Sequence, residues 1–375
     1  MLSRLKSLFF DVLLRDFVGY TGISKEWIVD HSPMLVNLRN QLKLEKPFKG
    51  LNFCVCLPET WGTFMLLWAL ESGGASVCFI PMFYKYDVHS ELIKGINVKL
   101  GSYLDRHKFI RISDFVWDCS ASFASLLINE DHEVKGVIEQ TSSGVKVYKE
   151  YDSKGLLRQP VFDLDSSHTK RIRENRLATG LGLVDALLKL HIFLPDKRVL
   201  IVGFGNVGYS CAYYLKLLGC IVDVYDIDTS KMREAEALGY HTGDLRELLP
   251  IADIVITATG SQVPALDTND FYILKRGAIL VNMGGNGWNR KAFSAMKTQK
   301  VGIEVLKVYR DNGNFFYEVA RGAPINLILS LGTDIETMDR IFFIGALTME
   351  YVVKNYSSLP KHVLPIPNEI QRRVI

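Results

Sequence analysis

One stretch constrains this chain more than any other. In RVLIVGFGNVGYSCAYYLKLLGCIVDVYDID (198–228) an apolar run, 199–202, ends in Gly203, Gly205 and Gly208, the G-x-G-x-x-G spacing with Asn206 and Val207 between the last two. A helical stretch then runs to Gly219, and a second apolar run, 221–225, stops at Asp226. Each part suits a dinucleotide. The first glycine makes a tight turn, the second admits the pyrophosphate to the backbone, and the third lets helix and strand pack closely, while the helix N-terminus offers N–H groups and a positive dipole. Asp226 falls about 20 residues beyond the glycines, where a carboxylate accepts from the adenosine ribose. No Arg follows it to receive a 2′-phosphate, so NAD is expected rather than NADP.

The rest of the composition is that of an ordinary globular protein. Of 375 residues, 48% are hydrophobic and 23% charged. A net charge of +3 gives no reason to expect nucleic acid or an anionic membrane as partner. No stretch reaches the roughly 18 uncharged apolar residues of a membrane span. Cys54, Cys56, Cys78, Cys119, Cys211 and Cys220 have apolar neighbours and no C-x-x-C spacing. They read as reduced, buried thiols of a cytoplasmic protein with no metal site. Residues 1–15 read as an amphipathic helix packing on the body.

Upstream of the glycine loop the pattern repeats. Residues 27–44 have helical spacing; 50–58 read as a strand, 60–72 as a helix and 75–81 as a second strand, a βαβ unit with a parallel sheet. Further expectations are a helix at 89–96, a strand ending at 115–119, a strand and polar loop at 134–144, and a connecting hairpin at 146–162 turning at Gly155. One long helix is expected over 167–190, with His168, Lys170, Glu174 and Asn175 on its first turns. Strands at 252–260 and 277–285, two short strands within 300–330, and a helix at 334–355 complete the chain. The fold class is therefore α/β in two domains. A Rossmann-type NAD domain, 186–335, is inserted into a discontinuous substrate domain, 1–185 plus 336–375, with a cleft between them and hinges near 185 and 335.

The chain resembles the S-adenosyl-L-homocysteine hydrolase family in order from about Trp27 onward. The matching segments include HSPMLVNLR (31–39), EQTSSGVKVY (139–148), DSSHTKRIREN (165–175), VGFGNVGYSCA (202–212), ADIVITATG (252–260), VNMGG (281–285) and RGAPINL (321–327). The resemblance implies a bound NAD that oxidises a ribose 3′-hydroxyl, acidifies the C4′ proton, allows the 5′ thiol to leave, and is regenerated after water adds. It implies cofactor contacts from Gly203, Gly205, Asn206, Val207, Gly208, Asp226, Thr259, Gly260, Asn282 and Asn326. Lys170 corresponds to the lysine that assists hydride removal, with Glu174 where the family has aspartate and Asn175 retained. On residues alone, Lys170 also reads as a solvated helix charge.

The departures fall on the elimination half. Pro58 stands where the family's C-L-H-M-T motif has histidine, although Thr60 is kept. Gln140, followed by Thr141, stands for a glutamate that binds the ribose diol. Asp118 and Cys119 align with paired aspartates, and Asp165 with an asparagine. Gly285 and Thr333 stand where the N-I-G-H and G-H-P-S segments carry histidines. His168 reads either as a substitute for a lost histidine or as a surface residue. The substrate set is thus Thr60, Asp118, Gln140, Thr141, Asp165 and His168. Ending at Ile375, the chain lacks the family's lysine- and tyrosine-containing tail, so exchangeable NAD and a homodimer are expected. Three functions stay open: an NAD-dependent oxidation of a secondary hydroxyl on a nucleoside or sugar with elimination lost or altered, hydrolysis by substituted groups, or a catalytically inactive NAD-binding partner protein.

Overall fold

A computed structural model describes residues 25–82, 96–129, 132–261, 263–293, 296–330 and 332–374. The helix expected over 1–15, and nearly all of that expected over 89–96, lie outside the described residues. The chain forms two compact units. Unit 1 comprises Met1–Arg171 and Asp334–Ile375; unit 2 comprises Ile172–Thr333.

Unit 1 is built on β1 (Asn52–Pro58), β2 (Ser76–Met82), β3 (Val98–Leu100), β4 (Phe115–Asp118), β5 (Gly136–Glu139) and β6 (Val161–Asp163). With β15 (Val363–Pro365) they pair, all parallel, in the order β15-β6-β5-β4-β1-β2-β3. The run of five buried residues inside β1 follows from this, since a parallel sheet is covered on both faces. Alternation sends Phe53, Val55 and Leu57 into one core. Cys54 and Cys56 enter the other. All six cysteines are buried free thiols.

Helices α1 (Pro33–Glu45) and α2 (Trp61–Ser72) join the first of these cores. Between β5 and β6 the expected hairpin is replaced by helix α3 (Ser142–Ser153), and β6 runs parallel to β5. Thr141 starts this helix by accepting from the Gly144 N–H at 3.1 Å. Gly155, at φ +66°, turns the chain after the helix has ended.

A ten-residue π-helix, Thr169–Ala178, follows β6 and is succeeded by α4 (Thr179–Lys189). The single helix expected over 167–190 is thus two helices of different hydrogen-bond register. The first crossing between units falls at Arg171, not near 185. Helix α4 belongs to unit 2 because Gly180 donates its N–H to Ser210 Oγ at 2.9 Å, and a Cβ there would come within 2.5 Å of the Ser210 carbonyl oxygen.

Unit 2 contains β7 (Arg198–Val202), α5 (Asn206–Leu217), β8 (Ile221–Tyr225), α6 (Thr229–Ala237), β9 (His241–Thr242), β10 (Ile254–Thr257) and β11 (Ile279–Asn282). A hairpin edge follows: β12 (Lys297–Lys300), β13 (Val305–Tyr309) and β14 (Phe315–Val319). Strand order is β12-β13-β14-β11-β10-β7-β8-β9, antiparallel only at β12-β13 and β13-β14.

The chain returns to unit 1 through α7 (Ile335–Asn355), most of whose residues are buried. Asp339 on α7 accepts from the Met34 and Leu35 N–H groups at 3.0 and 2.8 Å, satisfying the start of α1. Gly345 on α7 has no room for a Cβ against the Trp117 ring. No helix among the described residues is long and apolar enough to cross a membrane.

Candidate active site

In unit 2, β7 is followed by β8 and β9 on one side, and β10 then returns to its other side. This reversal of strand order is where doubly wound sheets take ligands. The glycine loop follows β7 and Thr259-Gly260 follows β10, so both edges of the crevice carry predicted residues.

The loop geometry explains its glycines. Gly203 sits at φ +100°, and a Cβ there would meet Thr259 Cγ2 at 2.8 Å and the Ala258 carbonyl oxygen at 3.0 Å. At Gly208 a Cβ would collide with the Gly203 carbonyl oxygen. Gly205 is different: nothing lies within 4 Å of its missing Cβ. It precedes α5, whose first N–H groups have no side-chain cap. The bare helix start and the open space above Gly205 form a cradle for phosphate.

Asp226, at the end of β8, accepts from the Phe204 N–H at 2.7 Å and the Asp228 N–H at 2.8 Å. One carboxylate therefore braces the glycine loop and keeps acceptor capacity for a ribose. Among the described residues, Thr259 Oγ1 is buried and finds no hydrogen-bond partner. An orphaned hydroxyl beside an open phosphate cradle fits NAD better than an empty loop, since sealing such a group away from water is costly. Gly260 completes this edge and is half-buried.

Asn282 has a different place. Its Oδ1 accepts from the Thr257 hydroxyl at 2.8 Å and the Gly284 N–H at 3.0 Å, and its Nδ2 donates to Gly285 O at 3.0 Å and Gly322 O at 2.8 Å. This buried amide ties the end of β10 to the segments at Gly284–Gly285 and Gly322. One of those segments holds Ala320 and Arg321 at φ +53° and +50°, a conformation that non-glycine residues adopt at a cost. Asn326 is buried nearby, its carbonyl accepting from the Gly332 N–H at 2.9 Å. Asn206 opens α5 and receives a long 3.4 Å contact from Arg176, while Val207 is half-buried against the core of unit 2.

Unit 1 has its own reversal of strand order, between β1 and β4. Thr60 follows β1 as the N-cap of α2, accepting from the Thr63 N–H at 3.4 Å. Asp118 ends β4 but turns inward. It is fully buried and accepts from the Tyr148 hydroxyl at 2.6 Å, the Cys119 N–H at 2.8 Å and the Phe123 N–H at 3.1 Å. Beside it, Glu139 is a residue that sequence reasoning missed. Its Oε1 accepts from Thr141 N at 2.7 Å, the Thr141 hydroxyl at 2.7 Å and Ser120 N at 3.1 Å, and its Oε2 from Ala121 N at 3.1 Å. Burial, then the charge of Asp118, pushes the Glu139 carboxyl up to about 8; burial alone pushes Asp118 up to about 6.

Gln140 is 5% exposed and its Oε1 accepts from the indole Nε1 of Trp117 at 3.0 Å. The Cys119 thiol is buried and held well above its ordinary range, first by burial and then by Glu139, Cys56 and Asp118; only Lys170 acts in the opposite sense. Lys170 is itself 4% exposed on the π-helix. A solvated helix charge it is not. Glu174 and Asn175 lie further along the same helix, both half-buried, and Asp165 is half-buried just before it. His168 is exposed, its backbone N–H meeting Gln371 Oε1 at 3.2 Å.

The doubly wound topology, glycine cradle and acidic strand end define unit 2 as an NAD-binding domain. A family model described as S-adenosyl-L-homocysteine hydrolase, NAD binding domain, matches residues 177–332. The adenosylhomocysteinase of Thermoplasma volcanium is 30% identical over 93% of this chain and 90% of its own length. That of Saccharolobus solfataricus is 30% identical over 93% of this chain and 88% of its own. The crystal structure of a dipicolinate synthase polypeptide from Bacillus halodurans shares the fold, with a TM-score of 0.50 at 11% identity, covering 82% of this chain and 99% of that one. The chain belongs to the S-adenosyl-L-homocysteine hydrolase family.

Proposed function

We propose that the protein is an NAD-dependent enzyme that oxidises a secondary hydroxyl of a nucleoside or sugar-type substrate, with the family's thioether elimination lost or altered. The observation that carries this is the contrast between Lys170 and Cys119. Lys170 keeps its place on the π-helix and is buried, while the position of a family aspartate holds a thiol that burial keeps protonated. A neutral thiol is no base for the C4′ or C5′ proton. Pro58 replaces a histidine and has no proton to transfer.

When bound, NAD supplies the hydride acceptor. The chain's own part is to hold the pyrophosphate at Gly205 and the start of α5, to meet the ribose at Asp226, and to take the hydroxyl proton at Lys170 Nζ. Glu174 and Asn175, further along the same helix, orient that lysine. The curated relatives are named adenosylhomocysteinases, and their match over 93% of the chain supports a second reading, hydrolysis by substituted groups.

Incubating the NAD-loaded protein with adenosine, adenosylhomocysteine and a panel of sugars, and following NADH absorbance with product mass, tests the proposal. NADH or an epimerised product without thiol is expected, and Lys170→Met lowers its rate by about 10²–10⁴-fold. No NADH and no turned-over product across the panel, with NAD bound, defeats it in favour of a binding protein.

A further inference from the structure

Arg176, on the last turn of the π-helix, belongs to unit 2 and lies against the opening turn of α5. Its guanidinium carbon sits 3.8 Å above the centre of the Tyr209 ring, Nη1 reaches Asn206 Oδ1 at 3.4 Å, and Nη2 donates to Glu234 Oε1 at 3.2 Å. Asn206 is the first residue of α5 and Tyr209 follows three residues on, so both contacts fall on one face of that turn. A cation in this place opposes the helix. The N-terminal end of the macrodipole is itself positive, and cations are favoured at the other end. Glu234 offsets the charge only in part, because it is shared. Lys231 Nζ reaches Glu234 Oε2 at 2.6 Å, and Lys231 first, Arg176 less, hold the Glu234 carboxyl below its usual range. Two cations therefore meet one carboxylate beside a helix start that has no side-chain cap. The loop from Gly203 to Gly208 carries no cationic side chain of its own.

We infer that Arg176 is a further cofactor-binding residue, whose guanidinium, held over Tyr209 against the first turn of α5, supplies positive charge for the pyrophosphate of NAD. An anion at the bare helix start satisfies the N–H groups, the dipole and the surplus cation together. The 3.4 Å contact with Asn206 is the loosest that the guanidinium makes, and a phosphate oxygen is a stronger acceptor than an amide oxygen. The inference rests on NAD binding in unit 2 and is independent of the proposed oxidation, so NADH formation plays no part in its test.

The experiment is calorimetric titration of the full-length, nucleotide-free protein with NAD, ADP-ribose and NADP. NAD and ADP-ribose share the pyrophosphate and differ at the nicotinamide, while NADP adds a 2′-phosphate. Arg176→Gln keeps hydrogen-bonding groups and removes the charge, and is expected to weaken NAD and ADP-ribose by the same factor, about tenfold. Arg176→Lys, which keeps the charge and loses the planar fork, is expected to fall between the two. Glu234→Gln removes the competing carboxylate and is expected to tighten both ligands about two- to fivefold, a gain that a residue merely stapling α5 to α6 does not give. Raising the salt from about 0.02 M to about 0.5 M should narrow the gap between wild type and Arg176→Gln, because screening weakens a charge effect. The thermal midpoint without ligand confirms that each variant folds. Unchanged NAD affinity in folded Arg176→Gln overturns the inference. So does a loss confined to NADP, which would put the charge at the ribose, or one that differs between NAD and ADP-ribose, which would put it at the nicotinamide. Weaker NAD binding in folded Glu234→Gln also overturns it, since the ion pair would then serve only to hold the helices.

Discussion

Asp118 and Glu139 stand opposite one another in register at the carboxyl ends of β4 and β5, both fully buried. Two carboxyl groups so placed resist double ionisation, and burial lifts both, to about 6 and about 8 from ordinary values of 3.8 and 4.5. The folded protein therefore holds their protons more tightly than the unfolded chain. The stability they contribute is full below the ordinary values of 3.8 and 4.5, falls as pH rises, and is lost by about 6 for Asp118 and about 8 for Glu139. The urea midpoint of unit 1 should fall between about pH 4 and pH 8 and level off above that. Tryptophan fluorescence reports it, since Trp27, Trp61, Trp68 and Trp117 all lie in this unit. Glu139→Gln should lower the midpoint throughout, by about 1–3 kcal/mol for the donors it no longer accepts, and flatten the alkaline part of the profile. An unchanged slope would mean that Glu139 does not titrate there.

The glycine loop separates folding from cofactor binding. Gly208→Ala drives a methyl group into the Gly203 carbonyl, so thermal stability and NAD affinity should fall together. Gly205→Ala places its methyl group in open space. Its thermal midpoint should stay within a degree or two, while calorimetry shows NAD affinity weakened about tenfold or more, because that space belongs to the pyrophosphate. Equal NAD affinity in the Gly205 variant would place the phosphates elsewhere.

Thr259 gives a prediction of opposite signs. Thr259→Val removes a buried hydroxyl that has no hydrogen-bond partner among the described residues. The apo protein should gain about 1 kcal/mol in denaturant melts. If the hydroxyl's partner is NAD, the same change weakens NAD binding several-fold. A gain in both quantities would exclude Thr259 from the cofactor site.

Legibility from sequence followed the range of the interaction. The glycine loop and its flanking strands were readable because tight turns and close backbone approach demand glycine locally, and β1 was readable because burial on both faces leaves an unbroken apolar run. Helix α3 was hidden. Its first turn, Ser142 to Val145, reads as a polar loop, and only the Thr141 cap, whose hydroxyl also serves Glu139, starts the helix there. The π register of Thr169–Ala178 leaves no mark on residue spacing, which serves α and π turns alike. Glu139 went unread because its partners come from loops after two strands, and the Trp117–Gln140 bond joins residues 23 apart in sequence, one on β4 and the other just past the end of β5. A carboxylate that collects four donors through space looks, in one dimension, like the acid before Gln140.

The central proposal is that the hydride chemistry survives while the family's thioether elimination is lost or altered. It is tested most directly by giving NAD-loaded protein adenosylhomocysteine and following NADH absorbance and free thiol in the same sample, for wild type and Lys170→Met. The account predicts NADH that depends on Lys170 with no thiol above the protein-free control. Thiol released in many turnovers per protein, and lost in Lys170→Met, would contradict it and establish the full hydrolysis.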